Sequence, residues 1–228
     1  MSAKRQCLGI IGSSGGSALA AADKCLREAG IEIDWEIVTD RECPMEIWAK
    51  LQGHRTHRLE YVDVDNFSEN ALRIFTQKNC RHALLFYTRR IGYPLISELE
   101  VCNIHPALLP AFVGLSAVVQ AQNKQVKIFG ATLHRVDASL DTGPILTQVA
   151  GLWPKNNSIT LAQHLSFYQK VWLTLIWVEH CIIGSTEADS KTANFPGGYL
   201  SSSGLRNEQL LHAFCIWIEK EERSWSPT

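Results

Sequence analysis

Two segments of the chain hold residue types and spacings that could do chemistry. One is Asn103-Ile104-His105-Pro106-Ala107-Leu108-Leu109-Pro110-Ala111-Phe112-Val113-Gly114, and the other is residues 130–145, GATLHRVDASLDTGPI. Asn103 and His105 alternate at the end of an apolar run, so on a strand both side chains point to the same face. Pro106 and Pro110 stop regular structure and fix the path that follows. Asp141 stands in an Asp-Thr-Gly-Pro turn, a good way to present a carboxylate beside a strand end. An amide donor, an imidazole and a carboxylate converging there suit acyl transfer. The Asn NH2 and a protonated His can stabilise an oxyanion, while the Asp keeps the imidazole charged and helps to move a proton. Losing one such oxyanion donor typically costs about 3–4 kcal/mol of transition-state stabilisation. Residue types and spacing alone fit equally well with loop residues that satisfy backbone groups, because three polar residues in loops are common.

Strands must carry these residues. Residues 6–12 (QCLGIIG) read as a buried strand, followed by a Gly/Ser loop and a helix over 18–29 ended by Gly30. Residues 31–38 alternate as a strand does. Short helical and strand segments are predicted at 44–52 and 57–64. Asn66 or Ser68 can cap a helix running to Lys78. Strands are predicted at 82–87, 101–104, 126–136 and 144–152. Ser158 can cap a long apolar helix to about Ile183, and 207–222 reads as a last helix. Strands alternating with helices predict an α/β chain with a Rossmann-like layered sheet, mostly parallel, with an antiparallel edge. Two regions follow: a catalytic domain over 1–184 and a C-terminal extension over 185–228 with one helix. Residues 184–206 are rich in Gly, Ser, Asn and Thr and read as a linker or surface loop. The tail helix can pack on its own domain or on a partner subunit of a homodimer.

Composition bounds the function. The chain has 228 residues, 46% hydrophobic, with a formal net charge of -1. That excludes a disordered chain and gives no electrostatic signature of a nucleic-acid binder. Cys7, Cys25, Cys43, Cys80, Cys102, Cys181 and Cys215 are odd in number and lack C-x-x-C spacing. They read as reduced, mostly buried thiols of a cytoplasmic protein, with no metal site. Glycines interrupt the signal-like N-terminal stretch. The apolar run from Val171 to Ile183 contains Glu179 and His180 and is shorter than the roughly 20 residues of a spanning helix, so no membrane association is expected.

The pattern Asn-x-His-Pro-x-Leu-Leu-Pro, followed by His-x-Val-Asp-x-x-x-Asp-x-Gly-Pro-Ile, resembles the signature of the 10-formyltetrahydrofolate-dependent formyltransferase family. The resemblance extends from the Gly/Ser loop to about residue 184. It implies an enzyme of one-carbon metabolism with 10-formyltetrahydrofolate as co-substrate and a small-molecule amine as acceptor. Phosphoribosylglycinamide, and with it purine biosynthesis, is the leading case. It places the family's catalytic residues on Asn103, His105 and Asp141. The folate pocket falls on Arg89, Arg90, Ile91 and Gly92, with Asp137 and Leu140 on its other wall. The substrate-phosphate loop falls on Gly15, Gly16 and Ser17. His134 either supports the site or simply packs beneath the Asp141 loop.

Departures concentrate on the acceptor side. Ala18 stands where the family has Asn, Ala107 where it usually has Ser, and Val118 where it has His. A helix position that is acidic in those enzymes falls near Gln169, beside Lys170. A different amine, such as an amino sugar nucleotide, is therefore an alternative acceptor. Hydrolysis of formyltetrahydrofolate with water as acceptor is a second alternative, and a non-catalytic folate-binding protein a third. A methionyl-tRNA formyltransferase fits less well, since no strong basic run follows the core.

Overall fold

The computed structural model describes residues 6–183, 193–195 and 199–224. The strands are β1 (Cys7–Gly12), β2 (Asp34–Thr39), β3 (Arg55–Arg58), β4 (His82–Phe86), β5 (Glu100–His105), β6 (Ile128–Arg135), β7 (Ile145–Leu152), β8 (Ala193–Phe195) and β9 (Tyr199–Ser201). They form one sheet in the order β3-β2-β1-β4-β5-β6-β7-β9-β8. The pairs from β3 to β5 are parallel, and those from β5 onwards are antiparallel. The helices are α1 (Ser17–Glu28), α2 (Pro44–Leu51), α3 (Val64–Gln77), α4 (Tyr93–Glu98), α5 (Ala117–Asn123), α6 (Ile159–Ile183) and α7 (Glu208–Ser224). Among the described residues, no helix is long and apolar enough to cross a membrane.

Strand alternation sorts the core into two layers. Leu8 and Ile10 of β1 and Cys102 and Ile104 of β5 pack with α1, α6 and α7. Ile11 and Val101 pack on the other side with Phe67, Ala71 and Phe75 of α3 and Leu95 of α4. Asn103 and His105 share the parity of Val101, so they lie on the α3/α4 side of the sheet.

Several boundaries differ from the sequence reading, each for a local reason. The third strand is Arg55–Arg58, because the buried Glu36 of β2 pairs with both Arg55 and His57. After Arg58 the chain leaves the sheet. Helix α3 is capped by Asp63 rather than Asn66 or Ser68, and the Asp63 carboxylate accepts from Asn66 N at 2.8 Å. The short helices α4 and α5 carry too few turns to show a period. Cys7 and Cys80 are joined as a disulfide, with Cα atoms 5.1 Å apart, which corrects the reading of seven reduced thiols. Adjacency of β1 and β4 brings the two together, and sequence spacing cannot reveal it. Residues 199–201 form a strand inside the segment read as linker. Residues 184–192 and 196–198 of that segment lie outside the described residues.

Helix α7 packs on its own chain. Trp217 meets Tyr168 of α6 nearly perpendicularly at 5.6 Å and lies 5.8 Å from both Phe167 and Phe214. The buried Glu179 of α6 accepts the backbone N–H groups of Arg206 and Asn207, and the Asn207 side chain caps α7 at Leu210 N, 3.0 Å away. Trp217→Ala should therefore destabilise the whole domain by about 3–5 kcal/mol. Denaturant unfolding would show this as a lower midpoint in a single transition.

Candidate active site

The site sits at the C-terminal end of β5, where it runs antiparallel to β6. In register, Asn103 faces His134 and His105 faces Thr132. The loop after β6 returns Asp141 to the same place. Asp137 shapes that loop, accepting from Ser139 N at 2.9 Å and from the Thr142 hydroxyl at 2.9 Å. Gly143 passes so close to the Arg135 carbonyl that a Cβ would collide with it. Asp141 itself adopts φ 53°, a left-handed conformation that Asp tolerates better than most residues.

The Asp141 side chain is 8% exposed and gathers four neighbours. Oδ2 accepts from Gly114 N at 3.0 Å and lies 3.3 Å from His105 Nδ1. Oδ1 is 3.5 Å from Asn103 Nδ2 and 3.7 Å from His134 Nε2. His105 Nε2 lies 2.7 Å from the Phe112 carbonyl, which can only accept, so this nitrogen carries a proton. A carboxylate faces its other nitrogen, so the His105 ring has an acceptor at each end.

His134 is the opposite case. Burial pushes its pKa down, outweighing the Arg135 carbonyl and the Asp141 charge, which act the other way. Its Nδ1 donates to that carbonyl at 2.9 Å, leaving a lone pair on Nε2. Asn103 Nδ2, 3.3 Å away, donates to it. A flipped Asn103 amide would set an oxygen against this lone pair and the carboxylate, so the ring fixes the amide's orientation.

These groups open onto a cavity of about 430 Å³ lined by Asn103, His105, His134 and Asp141. Arg89, Arg90 and Ile91 line it on one side, and Asp137 and Leu140 on the other. Arg89 is held away, on Asp40 at 3.1 Å and over the Tyr61 ring at 4.1 Å. Arg90 spans the two walls, donating to the Ala138 carbonyl at 2.9 Å. Gly92 lies outside this lining and instead donates its N–H to the Ser68 hydroxyl at 2.7 Å.

Gly15, Gly16 and Ser17 also lie outside this lining. Gly16 has φ 66° at the start of α1. Met45 lies against Gly12 and Gly16, so those glycines serve packing, while Gly15 faces open space. The loop is tied towards the cavity through Ser13 and Thr88, whose hydroxyls are 3.0 Å apart. Gln169 is fully buried, and neither end of its amide has a hydrogen-bond partner among the described residues. Burial alone pushes the Lys170 pKa down. Sequence reasoning did not single out Thr132, Gln148, Phe112 or Gly114. The last two act through backbone atoms and leave no side-chain signal.

The layered sheet and the histidine–carboxylate pair beside its strand ends define an α/β protein with a polar, partly buried candidate site. Residues 71–174 match the family described as formyl transferase. A phosphoribosylglycinamide formyltransferase of Bacillus subtilis is 41% identical over 93 residues, covering 40% of this chain and 48% of the relative. One from Mycobacterium tuberculosis is 61% identical over 64 residues, covering 27% and 30%. A mitochondrial formyltetrahydrofolate deformylase of Arabidopsis thaliana is 28% identical over 149 residues, covering 58% and 44%. The matches thus span less than half the length of each of these relatives. The crystal structure of a phosphoribosylglycinamide formyltransferase from Bacillus halodurans superposes with a TM-score of 0.65 at 26% identity, covering 77% of this chain and 98% of that one.

A buried histidine held neutral makes a prediction. The unfolded chain binds a proton at His134 as pH falls below about 6.5, and the native state binds it less readily. His134 therefore removes stability as pH drops through that value. The loss of unfolding free energy between pH 7 and 5 should be smaller in His134→Gln than in the parent, and equal losses would refute the neutral assignment.

Proposed function

We propose that this protein transfers the formyl group of 10-formyltetrahydrofolate to an amine, with phosphoribosylglycinamide as the leading acceptor. The observation that carries the reading is the His105–Asp141 pair, 3.3 Å apart, on the wall of a cavity of folate-head size. The cavity wall of Arg90, Ile91, Asp137 and Leu140 would hold the folate, and the Gly15–Ser17 loop the acceptor's phosphate.

The acceptor nitrogen attacks the formyl carbon, and a C–N bond forms as the carbonyl oxygen becomes an oxyanion. The His105 imidazolium and the Asn103 amide stabilise that charge, with His105 Nε2–H exchanging the Phe112 carbonyl for the oxyanion. Asp141 keeps His105 protonated. It also relays the proton lost by the attacking amine to the folate nitrogen that leaves as the old C–N bond breaks. The neutral His134 keeps the Asn103 NH2 correctly turned.

The deformylase match favours a second reading in which water replaces the amine. Formate released without any amine would identify it.

Asp141→Asn removes the charge with little change of shape. Turnover should fall by about 10²–10⁴-fold while folate binding persists. A folate difference-spectrum assay with phosphoribosylglycinamide tests this. Undiminished turnover would remove Asp141 from the mechanism.

A further inference from the structure

Beside the catalytic pair, three side chains form a row across three strands. His105 of β5 is in register with Thr132 of β6, and Thr132 with Gln148 of β7. Thr132 is fully buried. Its hydroxyl donates to the Ala107 carbonyl at 2.7 Å and accepts from Leu109 N at 3.0 Å. Gln148 Nε2 donates to that hydroxyl and to the Leu109 carbonyl, both at 3.0 Å. Both hydrogens of the Gln148 NH2 are thus used, which leaves the amide one orientation. Neither Thr132 nor Gln148 lines the cavity.

These bonds grip the segment that leaves His105. The same segment reaches Phe112, whose carbonyl holds His105 Nε2 at 2.7 Å. The imidazole therefore bridges a strand end and a loop, and the loop is fixed by residues one and two strands away. The row also continues outwards. Gln148 N donates to the Ser202 hydroxyl, and Ser202 N donates to the Gln148 carbonyl, both at 2.9 Å. Ser202 follows β9, so the C-terminal segment seats Gln148.

We propose that Gln148 is a positioning residue for His105, acting through Thr132 and the 107–109 backbone, and that Ser202 anchors it. The segment after α6 thereby takes part in aligning the imidazole. The kinetic part of this inference rests on the formyl-transfer reading. The spectroscopic part does not.

The test uses Gln148→Met, Thr132→Val, Thr132→Ser and Ser202→Ala in the full chain. Misplacement of a reacting group by about 1 Å costs up to about 10²-fold in rate. Gln148→Met and Thr132→Val should lower kcat by about 10–100-fold and leave the acceptor KM and folate affinity within about twofold. Thr132→Ser should restore kcat, and Ser202→Ala should lower it less. Equal kcat in Gln148→Met and the parent would overturn the proposal. So would a failure of Thr132→Ser to rescue.

Nitrogen NMR of the His105 ring supplies a readout without turnover. Its nitrogen chemical shifts should move in Gln148→Met and Ser202→Ala, and an unmoved ring overturns the proposal even if kcat falls. If the parent turns over no amine yet the ring responds, the formyl-transfer reading fails and the positioning role stands. If Gln148→Met does not fold, the milder Ser202→Ala decides by the same two readouts.

Discussion

A single carboxylate, nearly out of water, organises the functional end of this protein. Leaving it uncompensated would be expensive, since a buried charge must be paired and hydrogen-bonded. The chain meets that demand with a backbone N–H from Gly114 and the His105 ring, with Asn103 and His134 close by. These groups come from β5, from the loop at Gly114 and from β6. The charge of Asp141 therefore ties β5, the 112–114 loop and the loop after β6 into one geometry.

The sheet makes this convergence possible. Its parallel half delivers chain ends to one edge, and the switch to antiparallel pairing at β5 and β6 sets a second strand beside the first, in opposite sense. Position for position, Asn103 then meets His134 and His105 meets Thr132. The two histidines have different surroundings. His105 has an acceptor at both nitrogens. His134 is buried with an amide donor at one of them.

The two sides of the candidate site are unequal. The cavity beside Asp141 is walled by Arg90, Ile91, Asp137 and Leu140 and braced by the Arg90–Ala138 bond. On the other side, Met45 fills the space under Gly12 and Gly16, and Gln169 lies buried without a partner among the described residues. That asymmetry parallels the sequence, whose departures from the formyltransferase pattern include Ala18 and Gln169 on this second side.

Much of this was legible in the residues. Alternation marked the strands, with ends that moved by a few positions, and the Asn-x-His-Pro and Asp-x-Gly-Pro patterns marked the cavity's polar wall. The short α4 and α5, with few turns, gave no periodic signal. The Cys7–Cys80 pair, the Asp63 cap and the docking of α7 depend on which elements become neighbours, and no single segment encodes that. The sequence by itself determined the alternation that puts Asn103 and His105 on one face and the turn that presents Asp141, because these follow from local backbone geometry. Only the tertiary structure decided the burial of His134 and the alignment of His105. Those depend on burial, on the Phe112 carbonyl, and on a row of side chains drawn from three strands, and such contacts exist only once the sheet has formed.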